Sequence, residues 1–155
     1  MRLLDFIRPK PKDLFTNAEE QLIVEAVRTA ERRTSGEVRV FIESRCRFVD
    51  ATDRAAEVFF VLKMDQTELR NGTLVYVAVK DKQMAVFGDQ GIHARVGTTF
   101  WDAEVRKMMP HFRNDNLPAG IIAAIKDIGE ALHTHFPYDA DTDKNELPDD
   151  IVFGK

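Results

Sequence analysis

The sequence predicts an α/β fold, a three-layer αβα sandwich with a small mixed sheet and helices on both faces. Segments of helical and strand periodicity follow one another in the order α-β-α-β-β-α-α. A helix separates the first two strands, and a connection of that length favours parallel pairing. Only a short polar turn, residues 80–82, separates the second and third strands, which indicates an antiparallel hairpin.

The first helix and the first strand have clear local signals. Thr16 and Glu19 have the spacing of a capping box, and apolar side chains then recur at helical spacing to about residue 33. Gly36 stands just past the end of this pattern, as helix-terminating glycines do. Over residues 38–43 apolar and other side chains alternate, which predicts a strand.

The middle of the chain predicts a helix and two strands. Asp50 or Thr52 can cap a helix over roughly residues 51–64. Residues 73–79 follow a turn signal and are apolar on both faces, so we expect a central strand that is covered on both sides. Residues 83–88 then form the returning strand of the hairpin.

The C-terminal half predicts two more helices and a tail. After residue 88 we expect a short irregular stretch and then a helix over about 98–112, which Pro110 ends or bends. Asn116 and Pro118 are start signals for the last helix. The residues after this helix form a tail that we expect to be extended or partly ordered.

Composition and charge indicate one globular domain with charged ends. The chain has 155 residues, 44% of them hydrophobic and 31% charged. Residues 1–12 carry four basic side chains and one acid, whereas residues 139–155 carry six acids and two lysines. We therefore divide the chain into a basic N-terminal segment (1–13), a domain (14–137) and an acidic C-terminal tail (138–155).

Several classes of function are excluded or disfavoured by the composition. A net charge of -4 and a pI near 5.6 predict no nucleic-acid partner. The single cysteine, Cys46, excludes an intrachain disulfide and a multi-thiolate zinc site. Asp5 and Arg8 interrupt the apolar residues of the N-terminus, and no run approaches the ~18 apolar residues of a membrane span. We therefore expect a soluble, cytoplasmic protein without a membrane span.

The predicted strand directions bring three loops to one edge of the sheet. Parallel strands begin at the same edge, and the antiparallel third strand ends there. Carboxylate, amide and backbone carbonyl oxygens are the ligands that calcium and magnesium prefer. We therefore predict a divalent-cation site with Glu37, Asn71 and Asp89 as metal ligands. The predicted surrounding binding residues are Ser35, Gly36, Arg70, Gly72 and Gly88.

Two alternatives remain for this edge. Arg70 could bind an anionic group or pair with one of the acids. Acids and Asn-Gly pairs are also common at strand ends because turns require them, so Glu37 can be a simple strand-edge carboxylate.

Three stretches of the chain resemble the TPM domain family, which includes a thylakoid-lumen protein linked to photosystem II repair. They are FTNAEEQLIVEAVRTAERRTSGEVRVFIE, RNGTLVYVAVKDKQMAVFGDQGI and HFRNDNLPAGIIAAIKDIGEALHTHFP. The resemblance covers about residues 14–137 and implies an αβα sandwich, which agrees with the periodicity. It also implies calcium binding, described for some members, and acid phosphatase activity, proposed for plant members. The chain is similar to a short, soluble bacterial form of the family.

Only some positions of this chain match the motifs of the family. Many members have Asp-Asn-Gly before the second strand, where this chain has Arg70 followed by the matching Asn71 and Gly72. Many have Gly-Tyr-Gly after the third strand, where Asp89 here lies between two glycines. One acid is thus replaced in one loop and another appears in the neighbouring loop. Arg113, which matches the family's Phe-Arg-x-Gly-Asp stretch, is a further candidate binding residue.

Two functions follow as hypotheses from the residues and the resemblance together. The first is a divalent-cation-binding domain with weak metal-assisted phosphatase activity. The sequence contains none of the nucleophile signatures of cysteine, phospho-aspartate or phosphohistidine phosphatases, so hydrolysis would require water activated by a bound calcium or magnesium ion. The second hypothesis is a non-catalytic interaction module that binds a protein partner.

Overall fold

The computed structural model describes residues 14–46, 49–139 and 151–154. The basic N-terminal segment and residues 140–150 of the predicted acidic tail lie outside this described part. The described helices and strands are α1 (Asn17–Glu31), β1 (Glu37–Glu43), α2 (Ala51–Val61), β2 (Gly72–Ala78), β3 (Gln83–Gly88), α3 (Gln90–Arg113), α4 (Leu117–His135) and β4 (Val152–Phe153).

The strands form one mixed sheet in the order β3-β2-β1-β4. β1 and β2 are parallel, with Glu37 opposite Gly72 and Glu43 opposite Ala78. β2 and β3 are antiparallel, with Thr73 opposite Gly88. Both predicted strand pairings are confirmed. As a result, the beginnings of β1 and β2 and the end of β3 lie at one edge of the sheet.

Helices cover both faces of this sheet, which confirms the predicted αβα sandwich. α2 covers one face, where Phe41, Phe59 and Tyr76 belong to a buried apolar cluster. The other three helices cover the opposite face around a larger cluster, which includes Ile42 and Met108. β2 therefore lies between two cores, which accounts for its apolar character on both faces.

The predicted helix starts are confirmed at α1 and α2. Thr16 and Glu19 form a reciprocal capping box, in which each side chain accepts from the other's backbone N–H. Asp50, rather than Thr52, caps α2 by accepting a hydrogen bond from the Asp53 N–H at 2.8 Å. These local contacts fix where the chain turns from loop into helix on both faces of the sheet.

Helix α3 differs from the sequence prediction. The stretch expected to be irregular is helical, because Asp89 caps a helix that begins at Gln90. The irregularity is confined to Gly97, whose φ of 77° and ψ of 171° kink the helix before the predicted 98–112 segment. Pro110 does not end the helix, which continues to Arg113.

The end of the acidic tail contributes a strand that the sequence did not predict. Val152 and Phe153 pair in parallel with Phe41 and Ile42 of β1. The Gly154 N–H also donates to the Ile42 carbonyl at 2.7 Å. β1 is therefore an internal strand along this part of its length, and both residues of β4 are buried.

Candidate functional site

The strand register aligns two buried carboxylates on one face of the sheet. Glu37 lies opposite Gly72, and the Asp89 N–H donates to the Gly72 carbonyl at 2.9 Å. Adjacent strands are about 4.8 Å apart, so the Cα atoms of Glu37 and Asp89 are separated by roughly 10 Å with only a glycine between them. Glu37 is 2% exposed and Asp89 is 3% exposed. The predicted convergence of the three loops is therefore seen.

An oxygen that the sequence did not predict lies over this glycine. The carbonyl oxygen of Met64, which follows α2, is 3.0 Å from the position that a Cβ on Gly72 would take. A Cβ at position 72 would be tight against this carbonyl, whereas it would make only an ordinary contact with the Phe59 ring, at 3.7 Å. Glycine at this position therefore gives the Met64 carbonyl room at the start of β2.

Asp89 is held by two kinds of hydrogen bond. Its carboxylate accepts from the N–H of Gln90 at 2.8 Å, which is the cap of α3. It also accepts two bonds from Arg70, from Nε at 2.7 Å and from Nη2 at 2.9 Å. These hydrogen bonds raise the pKa of Arg70 above its usual value. Of the two alternatives for Arg70, the structure therefore shows the ion pair with an acid.

The backbone at Arg70 brings its loop close to the loop that carries Asp89. Arg70 has a φ of 51°, an uncommon conformation for a residue with a side chain. Its carbonyl accepts from the Gly91 N–H at 2.8 Å. A Cβ on Gly91 would come within 2.3 Å of the Leu69 carbonyl, so only glycine allows the two loops to approach this closely.

Asn71 is a buried amide with an unsatisfied acceptor. Its Nδ2 donates to Ser35 Oγ at a long 3.4 Å. Its Oδ1 is inaccessible to solvent and has no hydrogen-bond partner among the residues that the structure describes. Leaving a buried acceptor unsatisfied costs about 1–3 kcal/mol, so the burial of this oxygen is unfavourable for the fold.

The remaining predicted binding residues, Gly36, Gly88 and Arg113, contact other parts of the fold or lie far from the loop cluster. The Gly36 N–H donates to Thr34 Oγ1, and a Cβ on Gly36 would clash with Leu132 of α4. A Cβ on Gly88 would come within 2.2 Å of the Trp101 ring, so this glycine permits close packing of α3. Arg113 is exposed at the far end of α3, about 18 Å along the helix axis from Trp101. The structure therefore does not bring Arg113 to the loop cluster.

Two buried polar clusters lie elsewhere and were missed from the sequence. In one, Arg54 of α2 donates two hydrogen bonds to Glu43, which also accepts from the Tyr76 hydroxyl. In the other, Glu104 of α3 lies near Asp127 of α4, and Lys107 donates to both carboxylates. Each cluster joins residues that are far apart in sequence, so no local motif marks it.

The chemistry available at the loop cluster is that of hard oxygen ligands. Across residues 14–46, 49–139 and 151–154, no group of three or more His, Cys, Asp or Glu side chains is arranged to hold a metal ion. The loop cluster instead combines two carboxylates with the Asn71 amide and the Met64 carbonyl. Cys46 is not a suitable nucleophile, because burial, reinforced by Asp81, raises the pKa of its thiol.

The fold and the loop cluster together define an αβα domain whose strand-start edge carries a polar site. The family model of the TPM domain matches residues 10–131. The chain belongs to the TPM domain family, as the resemblance in its sequence implied. No curated protein matches the chain.

Solved structures support this assignment. The chain is similar to the BA42 protein of the psychrophilic bacterium Bizionia argentinensis, with 43% identity and a TM-score of 0.84, covering 94% of this chain and 99% of that one. An N-terminal domain from P. gingivalis has 17% identity and a TM-score of 0.65, covering 82% of this chain and 83% of that one. The N-terminal domain of cg2496 from Corynebacterium glutamicum has 12% identity and a TM-score of 0.57, with coverage of 81% and 84%. The last two show a shared fold.

Within the described residues, none of the helices combines the length and the apolar character needed to cross a bilayer.

Proposed function

We propose that the loop cluster at the strand-start edge binds a divalent cation, calcium or magnesium. Glu37, Asn71 and Asp89 are the proposed ligands, with the Met64 carbonyl as a further oxygen. The observation that carries the proposal is the buried Asn71 Oδ1, which lacks a partner in the described structure. A bound cation would satisfy this acceptor.

Arg70 competes with a cation for Asp89. The guanidinium already gives Asp89 two charge-assisted hydrogen bonds, so a metal ion must displace them to reach that carboxylate. Displacement is feasible because the Arg70 side chain is 35% exposed and can turn toward solvent. We therefore expect a weaker cation site than one built from carboxylates without a neighbouring arginine.

A weak phosphatase activity would depend on this cation. A bound divalent ion can activate water and neutralise a phosphate ester, whereas Cys46 is buried and its thiol pKa is raised. Arg70 could help to hold the phosphate when it is released from Asp89. Hydrolysis should accordingly stop when a chelator removes the cation.

The first test is thermal unfolding in chelator, in calcium and in magnesium at constant ionic strength. A ligand that binds only the native state adds about 2.7 kcal/mol of stability at 100 times its dissociation constant. We expect a rise in Tm with calcium or magnesium that is lost in Asp89→Asn. Asp53→Asn, which removes an exposed carboxylate elsewhere on α2, is the matched control and should keep the full rise.

Arg70→Gln tests the competition directly. The Arg70 guanidinium occupies both oxygens of Asp89 and carries a positive charge that repels a cation. Because partly exposed ion pairs are weak, we expect Arg70→Gln to bind the cation only about two- to fivefold more tightly, measured by isothermal titration calorimetry. An unchanged Tm of the wild type in both metals, together with no heat of binding in Arg70→Gln, would exclude the proposed site.

A protein-binding role is the second candidate function. It is favoured by an apolar groove along β3, the outermost strand on the other side of the sheet from β4. This role does not require the cation, so the two functions can be tested separately.

A further inference from the structure

The free edge of β3 presents unpaired backbone groups. The Asp89 N–H donates to the Gly72 carbonyl, and hydrogen-bonded pairs alternate along an antiparallel ladder. The N–H and C=O groups of Met84, Val86 and Gly88 therefore point away from β2. None of them has a hydrogen-bond partner within the described residues. An extended chain could add to this edge as a further strand.

This edge lacks the devices that normally prevent strand addition. Edge strands are usually protected by charged residues, by proline or by bulges. β3 has the sequence QMAVFG, with no charged residue and no proline, and its register with β2 is continuous from Gln83 to Gly88. At the opposite side of the sheet, part of the edge of β1 is already covered by β4. The edge strand on that side, β4, has only two residues, so β3 offers the longer edge.

The edge is set in an apolar groove, which we name the β3 groove. It has a volume of about 420 Å³, and its lining includes Phe60 of α2, Phe87 and Gly88 of β3, and Trp101, Asp102 and Val105 of α3. Phe60 is 51% exposed although it is a large aromatic residue. It packs against Phe87 with 6.2 Å between ring centroids, so its exposed face forms one wall of the groove.

The helices on both sides of the β3 groove and the charge of Asp102 indicate which kind of chain binds there. The groove lies between Phe60 of α2 and Trp101 of α3, and a single extended chain fits between these two helices. Of the charged side chains that line the groove, Arg70 and Asp89 pair with each other, whereas Asp102 on the α3 wall is exposed and has no ion-pair partner among the described residues. It favours a peptide that carries a lysine or arginine at the facing position.

We propose that the β3 groove binds an extended segment of a partner protein by strand addition. The segment would pair with the backbone of Val86 and Gly88, place alternate apolar side chains against Phe60 and against Trp101, and direct a basic residue to Asp102. This inference specifies the surface for the protein-binding role, the second candidate function. The β3 groove also includes Arg70 and Asp89 of the loop cluster, so a bound segment would lie next to the proposed cation site, whereas Glu37 lies outside the groove.

A bacteriophage-displayed library of random dodecapeptides is the probe. We expect the intact protein to select peptides with alternating apolar residues and one lysine or arginine. Their amide chemical-shift changes in 15N spectra should centre on Val86 and Gly88. Phe60→Ala should weaken the selected peptides at least about tenfold, as expected for a buried aromatic contact. Leu22→Ala, which removes an exposed apolar side chain from α1, should leave their affinity unchanged.

Charge and backbone variants complete the test. Asp102→Lys should reverse the selected charge, so that peptides with glutamate or aspartate are enriched. Val86→Pro removes an outward N–H and should abolish binding; if this variant fails to fold, Phe60→Ala and Asp102→Lys decide the result. The proposal is overturned if no peptide is enriched, or if the selected peptides bind both of those variants as tightly as the wild type. A concentration-dependent dimer in sedimentation velocity that Phe60→Ala abolishes would assign the groove to a second copy instead.

Loss of the cation function would not affect this outcome. Glu37→Gln removes a proposed metal ligand that lies outside the β3 groove. Peptide binding that persists in Glu37→Gln, with no metal effect on the Tm of the wild type, would retain the interaction surface and reject the cation site. A metal-dependent rise in Tm without any peptide binding would retain the cation site alone.

Discussion

Glu104 is a buried carboxyl group whose protonation should influence stability. It is 2% exposed, and its Oε1 has no partner in the described structure. Burial, reinforced by Asp127, raises the pKa of Glu104 to about 7, although Lys107 acts in the opposite direction. The carboxyl group therefore binds a proton more tightly in the folded chain than in the unfolded chain.

This difference predicts a loss of stability as pH rises. Between the unfolded pKa near 4.5 and the folded pKa near 7, the folded state holds more protons, so the free energy of unfolding falls with increasing pH. Glu104→Gln keeps the shape and a donor toward Asp127 without a charge. We expect this variant to be more stable than the wild type at pH 8, by on the order of 2–3 kcal/mol, with the difference vanishing below about pH 4.

Urea unfolding of both proteins at several pH values checks this prediction. Glu130→Gln, at an exposed carboxylate on the same helix α4 as Asp127, is the control and should follow the wild type closely. Parallel stability curves for the wild type and Glu104→Gln would show that the pKa of Glu104 is the same in the folded and unfolded chain, and would contradict the raised pKa.

The candidate site shows which features of single residues can be predicted from the sequence and which cannot. Strand-end residues such as Glu37 and Asp89 could be placed together because the direction of each strand follows from periodicity and loop length. The pairing of Arg70 with Asp89, rather than with an anionic ligand, could not be predicted from the sequence. It depends on a backbone with positive φ and on the distance between two loops. The unsatisfied Asn71 oxygen likewise becomes visible only when its surroundings are packed.

At the scale of elements, helix caps and alternating strands were predictable and short irregular features were not. Asp89 was considered as a metal ligand, whereas in the structure it also caps α3. Gly97 adopts a conformation that L-residues rarely reach, so one glycine divides α3 where the sequence suggested a longer irregular stretch. β4 has two residues, too few for strand periodicity to be recognised.

The short strand β4 should contribute to stability despite its length. Phe153 is 7% exposed and belongs to the apolar cluster beneath α1, α3 and α4. Truncation of a buried phenylalanine costs about 3–5 kcal/mol in a well-packed core, and an edge position relaxes more easily. We therefore expect Phe153→Ala to lower the free energy of unfolding by roughly 2–4 kcal/mol.

Chemical denaturation followed by circular dichroism measures this effect. Tyr138→Ala is the matched control, because this aromatic residue is 53% exposed and surface substitutions usually change stability by less than about 0.5 kcal/mol. An unfolding midpoint of Phe153→Ala equal to that of the wild type would mean that β4 detaches without consequence for the rest of the fold.

At the scale of the whole molecule, the sheet divides the interior into two apolar clusters. Periodicity predicted both layers, because each helix and strand has a local pattern that identifies its buried side. The contacts that tie the layers together are long-range: Glu43 with Arg54 and Tyr76, Glu104 with Asp127, and β4 with β1. Such contacts depend on the packed arrangement, so local sequence patterns do not show them.

The two clusters should unfold together because they share the strands of one sheet. Trp101, the only tryptophan, belongs to the cluster under α3, and Cys46, the only cysteine, belongs to the cluster under α2. We expect the change in Trp101 fluorescence and the exposure of the Cys46 thiol to a labelling reagent to have the same midpoint in urea. Val58→Ala, in the α2 cluster, should shift both transitions equally. If thiol labelling precedes the fluorescence change, or if Val58→Ala shifts only the labelling curve, α2 opens as a separate unit and the sheet does not couple its two faces.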